Sequence, residues 1–204
     1  CVAHVEDVAR LPEHGDDADT LLQRAGVAAF IAGKSVSGFS VYSPSMDEHS
    51  PRRLTLMGEL KRALERDELQ LYYQPKIDLA KNSVIGVEAL VRWQHSEHGF
   101  IPPNEFIGLA ERTRMIRPLS QWVLERAFLT CAGWHQEGQA LTVSINLSTK
   151  DLHDPELPDL IAGIAAKTGV QPEWIVFEIT ESSIMEDPIR VLVIVERLRS
   201  MGFQ

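Results

Sequence analysis

The chain has 204 residues, 44% hydrophobic and 24% charged, with 29 acidic against 20 basic side chains and a formal charge of −9. That composition is globular rather than disordered, the length allows one domain or two small ones, and eleven prolines and thirteen glycines exclude a long coiled coil. The acidic balance is the wrong sign for a generic nucleic-acid binder, so no DNA or RNA partner is expected.

No apolar run approaches the length of a membrane span, and His4, Glu6 and Asp7 follow soon after Cys1. Neither a transmembrane helix nor a signal peptide is expected, and any membrane anchor would lie outside these residues. Cys1 and Cys131 are too few for a disulfide framework, which suits a reducing cytoplasm. The start at Cys1 and the stop at Gln204 read as the ends of a fragment.

In chain order, Thr20 to Ala32 reads as a helix, with Leu21, Leu22, Ala25, Ala28, Ala29 and Ala32 apolar, Asp19 as N-cap and Gly33 as C-cap. Gly38 to Tyr42 reads as a short strand. Ser43 to Arg53 has turn formers, charges and no periodicity, and is read as a linker. Leu54 to Glu65 is a helix with Met57, Leu60 and Leu64 on one face. Four strand-like runs follow: Leu69–Pro75, Val84–Trp93, Leu141–Ser148 and Trp174–Ile179. Helices are predicted at Pro103–Glu111, Leu119–Gly133, Asp151–Lys167 (ended by Gly169) and from Asp187-Pro188 to Met201. Strand–helix alternation argues for an α/β fold with a parallel sheet and crossover helices.

Alternation sorts each strand into two faces. Ile85, Val87, Ala89 and Val91 are apolar, as are Val143, Ile145 and Leu147, and Ile175, Phe177 and Ile179. The opposite faces carry Gly86, Glu88, Leu90 and Arg92; Thr142, Ser144, Asn146 and Ser148; and Trp174, Val176, Glu178 and Thr180. Glu88, Asn146 and Glu178 thus stand toward the C-terminal ends of successive strands, on the face away from the helices. In a parallel barrel that face is the lumen, and that end holds the active site. Their oxygens are hard ligands for Mg2+, Mn2+ or Ca2+ rather than zinc. A solvated strand edge is the competing reading for any one of them; three in register favour a site. Arg92, two positions beyond Glu88 on that face, has a planar fork that matches phosphate oxygens.

These residues carry a resemblance. Glu88-Ala89-Leu90-Val91-Arg92-Trp93 resembles the signature of EAL domains, the cyclic di-GMP phosphodiesterases. Tyr73-Gln74-Pro75-Lys76, Gly99 to Ile107, Ser144-Ile145-Asn146-Leu147-Ser148 and Phe177-Glu178-Ile179-Thr180-Glu181 resemble further motifs of that family, in the right order. Residues 8–25 are similar to the C-terminal end of GGDEF domains, although the G-G-D-E-F loop itself is absent. The division expected is a GGDEF-like remnant over 1–43, a linker over 44–53 and an EAL domain over 54–204, truncated before its Asp-Asp motif.

The resemblance implies a TIM-like (β/α)8 barrel, incomplete here, whose first strand runs antiparallel. It implies hydrolysis of cyclic di-GMP to linear pGpG in bacterial second-messenger signalling, with two Mg2+ or Mn2+ ions. By it, Glu88, Asn146 and Glu178 are metal ligands, Gln74, Leu90 and Arg92 meet substrate, and Glu181, beside Glu88 in the catalytic set, holds a catalytic loop in place. If the last strand continued, Glu181 would point to the helix side. Members of that family often dimerise through the barrel. The family's Asp pair, Lys and later Glu and Gln lie beyond Gln204, so this piece alone is expected to be inactive. A degenerate EAL domain that senses cyclic di-GMP without cleaving it, or a fragment without function, are the alternatives. His95 and His98 have a zinc-like spacing in a loop without cysteine, and the four tryptophans and Cys131 read as packing residues.

Overall fold

The computed structural model describes residues 6–32, 39–43 and 51–204. They fall into two compact units, Cys1–Leu56 and Met57–Gln204. In the first, strands β1 (Glu6–Val8) and β2 (Phe39–Val41) pair in parallel and helix α1 (Ala18–Ala32) connects them. The cap of α1 is Asp17 rather than Asp19. Asp17 Oδ1 accepts from the Thr20 amide at 2.8 Å and Oδ2 from the Thr20 hydroxyl at 2.6 Å, and these bonds hold its carboxyl below the usual range. An N-cap carboxylate satisfies helix donors that have no partner of their own. Gly33, Gly38 and residues 44–50 of the expected 44–53 linker lie outside the described residues, and its residues 51–53 are helical.

Helix α2 (Pro51–Glu65) begins three residues before the predicted Leu54. Proline fits a first helical turn because its missing N–H would be unsatisfied there anyway. Strands β3 (Leu69–Asp78) and β4 (Ser83–His95) form an antiparallel hairpin, and a short strand β5 (Gly99–Ile101), not predicted, folds back on the end of β4. Helices α3 (Pro103–Arg112) and α4 (Ile116–Gln136) lead to β6 (Thr142–Asn146), which pairs with β4 in parallel. The predicted helix over Asp151–Lys167 is two helices, α5 (Thr149–Leu152) and α6 (Leu157–Thr168). Pro155 causes the break, since the residue before a proline avoids the helical region; Asp154 Oδ1 then accepts from the Glu156 amide at 3.0 Å. Strand β7 (Ile175–Glu178) pairs in parallel with β6, and helices α7 (Glu181–Glu186) and α8 (Pro188–Ser200) follow.

The sheet order is β3-β4-β6-β7. Beyond β7, the Phe177 amide donates to Gln204 O at 2.8 Å and the Gln204 amide to Ile175 O at 3.1 Å, so the last residues extend the sheet. This is a partial parallel α/β sheet with an antiparallel first strand, as expected of an incomplete TIM-like barrel.

One face of the sheet packs under helices. Val87, Ala89, Val143, Ile145 and Ile175 are buried with Leu124, Phe128, Ile161, Ile164, Val191 and Leu198. Alternation placed these strand residues correctly, with one correction. Ile85 shares their parity but is 51% exposed, because the start of β4 runs out beyond the helix layer. Trp174 is also displaced from its predicted strand. It ends a 3-10 turn (Pro172–Trp174) and stacks on His135 with ring centroids 3.6 Å apart. Trp93 and Cys131 are fully buried, and burial pushes the Cys131 thiol up to about 11.

Candidate active site

The other face of the sheet carries the polar residues. Ladder register puts Gln74 opposite Glu88, Glu88 opposite Ser144, and Asn146 opposite Glu178. The parallel order β4-β6-β7 therefore brings Asn146 and Glu178, the last residues of β6 and β7, beside Glu88, which lies in the middle of β4 rather than toward its C-terminal end because that strand runs on to His95. Asn146 Nδ2 donates to Glu88 Oε1 at 2.7 Å. All three side chains are half-buried or exposed, so they sit at an open face rather than in the core.

Gln74 is exposed beside Glu88, and Tyr72 stands opposite Leu90. Arg92 is half-buried. Its Nη1 donates to Val91 O at 2.9 Å and its guanidinium lies 5.9 Å from the Tyr72 ring centroid. A guanidinium held over an aromatic face loses fewer rotamers on engaging an anion. A cavity of about 470 Å3 opens beside Leu90, Arg92 and Asn146 and runs between the strands and α3 and α4 to Asp151.

Glu181 is elsewhere. The strand stops at Glu178, and Thr180 caps α7 by accepting from the Ser183 amide at 3.4 Å, so Glu181 is the first residue of a helix and is exposed. Strand parity does not apply to it. Its side chain makes no hydrogen bond or ion pair among the described residues.

Sequence reasoning missed a neighbour. Lys76 of β3 reaches across the sheet: its Nζ donates to Ser144 Oγ at 2.6 Å and forms a shorter ion pair with Glu178 Oε1. The signal was available, since Lys76 has the parity of Gln74. It passes Gly86, its ladder partner, which has no side chain. A Cβ at Gly86 would lie 2.3 Å from Thr142 Oγ1 and 2.8 Å from the Thr142 carbonyl.

A second cluster lies apart. Ligand atoms of Glu59, His95 and His98 come within 4.8 Å of one another. The hydrogen bonds speak against a metal there. His95 Nδ1 accepts from the amides of Glu97 at 3.0 Å and His98 at 3.1 Å, so the ring proton is on Nε2, which donates to Glu59 Oε2 at 3.0 Å. A neutral imidazole in this tautomer has no lone pair left for a metal. His95 pins the turn between β4 and β5 instead.

The polar face can be compared with known proteins. The model of the EAL domain matches residues 57–204. The chain belongs to the EAL domain family. It is 34% identical over 197 residues to the bifunctional diguanylate cyclase/cyclic di-GMP phosphodiesterase MucR of Pseudomonas aeruginosa, covering 96% of this chain and 29% of that protein. It is 34% identical over 198 residues to the cyclic di-GMP phosphodiesterase PdeR of Escherichia coli, covering 97% of this chain and 30% of that one. A structure of the PaMucR phosphodiesterase in complex with c-di-GMP superposes with a TM-score of 0.71 and 38% identity, covering 73% of this chain and 61% of the other. The chain thus spans less than a third of the length of the curated relatives it matches. Among the described residues, no helix of this EAL domain is long and apolar enough to cross a membrane.

EAL phosphodiesterases depend on a metal, and the donor set fits a hard cation. Two carboxylates and an amide offer oxygen ligands on one face, and one of the carboxylates, Glu178, already draws an ammonium group to itself.

Proposed function

We propose that the protein carrying this chain hydrolyses cyclic di-GMP to linear pGpG with Mg2+ or Mn2+. The observation that carries this reading is the convergence of Glu88, Asn146 and Glu178 on one face of three adjacent parallel strands, Asn146 paired with Glu178 and hydrogen-bonded to Glu88. The relatives named as cyclic di-GMP phosphodiesterases and the c-di-GMP complex support it.

Glu88, Asn146 and Glu178 would hold the cation. When bound, such ions activate water and neutralise charge on a phosphodiester, which resists attack because it is already anionic. The remaining work falls to the side chains. Arg92 binds a non-bridging phosphate oxygen and gives it a fixed orientation. Gln74, at the rim beside Glu88, donates its amide to the same ligand. Leu90 lines the cavity and offers an apolar surface to a guanine. Glu181, exposed at the start of α7, would hold a catalytic loop only through a partner outside the described residues. In the reaction, a water oxygen bonds to phosphorus, the bond from phosphorus to the 3′ oxygen breaks, and that oxygen leaves as the 3′ hydroxyl after taking a proton. The 5′ phosphate of pGpG is what remains.

Two further parts of the reading stand with it. Residues 1–43 are read as a GGDEF-like remnant, and the expected 44–53 linker is cut back to end where α2 begins at Pro51. The same reading includes homodimerisation through the EAL domain, suggested by the family, and a cytoplasmic site of action, suggested by the low cysteine content.

The test is incubation of the full-length protein with cyclic di-GMP and Mn2+, followed by chromatography of the products. Release of pGpG that stops on chelation is expected. Binding of cyclic di-GMP without turnover would replace the enzyme with a receptor.

A further inference from the structure

Lys76 is the cation that contacts this cradle among the described residues. It stands on β3, opposite Gly86 of β4, yet its Nζ lies on Ser144 of β6 and Glu178 of β7. Its stem therefore crosses the whole of β4 on the polar face, where Gly86 presents no side chain. Arg92, the other cation here, is turned toward Val91 O and the Tyr72 ring. The two carboxylates are thus served unequally. Glu88 takes a neutral amide from Asn146, whereas Glu178 takes a full positive charge.

A divalent ion and an ammonium cannot share one carboxylate oxygen without strong repulsion, since like charges at contact distance disfavour each other even where water screens them. The lysine is free to leave. Its side chain is 38% exposed, and a flexible four-carbon stem lets the ammonium swing into solvent. We propose that Lys76 is a built-in counter-cation of the cradle, a positioning residue that holds Glu178 and Ser144 when no divalent ion is bound and competes with that ion for Glu178. The proposal rests on the reading of Glu178 as a metal ligand. Its consequence is that divalent-ion affinity is set lower than the oxygen ligands alone would give, and that loading the site releases Lys76.

The experiment is titration of the full-length protein with Mn2+, reading the free aqua ion by electron paramagnetic resonance. Lys76→Met should tighten Mn2+ binding by roughly two- to fivefold, the range expected for removing one partly exposed ionic competitor. Lys76→Gln is a second neutral variant should Met fail to fold, and Lys76→Arg should stay close to wild type. Glu178→Gln should weaken binding, and Lys76→Met should add no gain on that background. Unchanged or weaker Mn2+ binding in the neutral Lys76 variants, with Glu178→Gln still weakening it, overturns the role of Lys76 alone. If Glu178→Gln leaves Mn2+ affinity untouched, the ligand assignment itself is wrong. A merely structural lysine would lower the melting temperature without tightening the metal.

Discussion

Asn146 Nδ2 donates a hydrogen bond to Glu88 Oε1 at 2.7 Å although the two are not ladder partners. Glu88 is paired with Ser144, two residues before Asn146. The bond is therefore diagonal across two parallel strands. It ties the end of β6 to the first residue of the Glu-Ala-Leu motif and turns the amide nitrogen toward the carboxylate, leaving the amide oxygen for another partner.

That geometry makes Glu88→Gln an informative change. Glutamine can still accept from Asn146 but carries no charge. We expect pGpG release by the full-length protein to fall at least about a hundredfold, the scale of losing one electrostatic group from an active site. Stability to urea should change by less than about 0.5 kcal/mol, since the side chain is only half-buried. Rates near wild type would remove Glu88 from the site.

Gly86→Ala should destabilise the sheet. The added Cβ would lie 2.3 Å from Thr142 Oγ1 and 2.8 Å from the Thr142 carbonyl, and the second contact is with backbone that cannot swing away. A loss of about 1–3 kcal/mol is expected, as for overpacking generally. Thr142→Ala on the same background should restore only part of it, because the carbonyl remains. Urea unfolding of both variants checks this; full restoration would show that the hydroxyl alone makes the clash.

Asp151 is buried at 5% exposure, and its Oδ2 accepts from Ser120 Oγ at 2.8 Å, Ser148 Oγ at 2.7 Å and the Ser148 amide at 3.0 Å. Desolvation raises its pKa above the ordinary 3.8 in spite of those bonds. A carboxyl raised on folding stabilises the protein most below its unfolded pKa, and that contribution is lost as pH rises through the folded one. Asp151→Asn keeps an acceptor for the capping box and removes the charge. The wild type should therefore lose stability relative to this variant as pH rises from about 4 toward neutrality, measured by urea unfolding across that window. Parallel profiles would mean that Asp151 does not titrate in it.

His95 gives a prediction about what does not bind. With its proton on Nε2 and its Nδ1 occupied by two amides, it should not hold zinc together with Glu59 and His98. Competition against a chromophoric chelator should show no zinc binding that His95→Gln or His98→Gln removes. Micromolar or tighter binding lost in those variants would show that the turn reopens to free a nitrogen.

By itself, the sequence determined the helix-packed face and the opposite face on which Glu88, Asn146 and Glu178 stand. Burial and pleating are local rules, so Val87, Ala89, Val143, Ile145 and Ile175 could be read by alternation. Glu88, Asn146 and Glu178 could be read the same way, because each lies inside a strand. Reading failed where one residue overrode its neighbours' pattern: Pro155 split a helix, Asp17 displaced Asp19 as cap, and Thr180 turned Glu181 out of strand parity. Only the tertiary structure decided which side chains meet. Lys76 and Glu178 are 102 residues apart and lie on strands separated by two others. Gly86 and the parity of Lys76 are legible in the sequence, but the contact of Lys76 with Glu178 also depends on the curvature of the sheet, which no local pattern encodes. The same holds for His95: its spacing to His98 is zinc-like but, in a loop without cysteine, reads as structural, and the two amides on its Nδ1 show which structural role it has, a turn anchor.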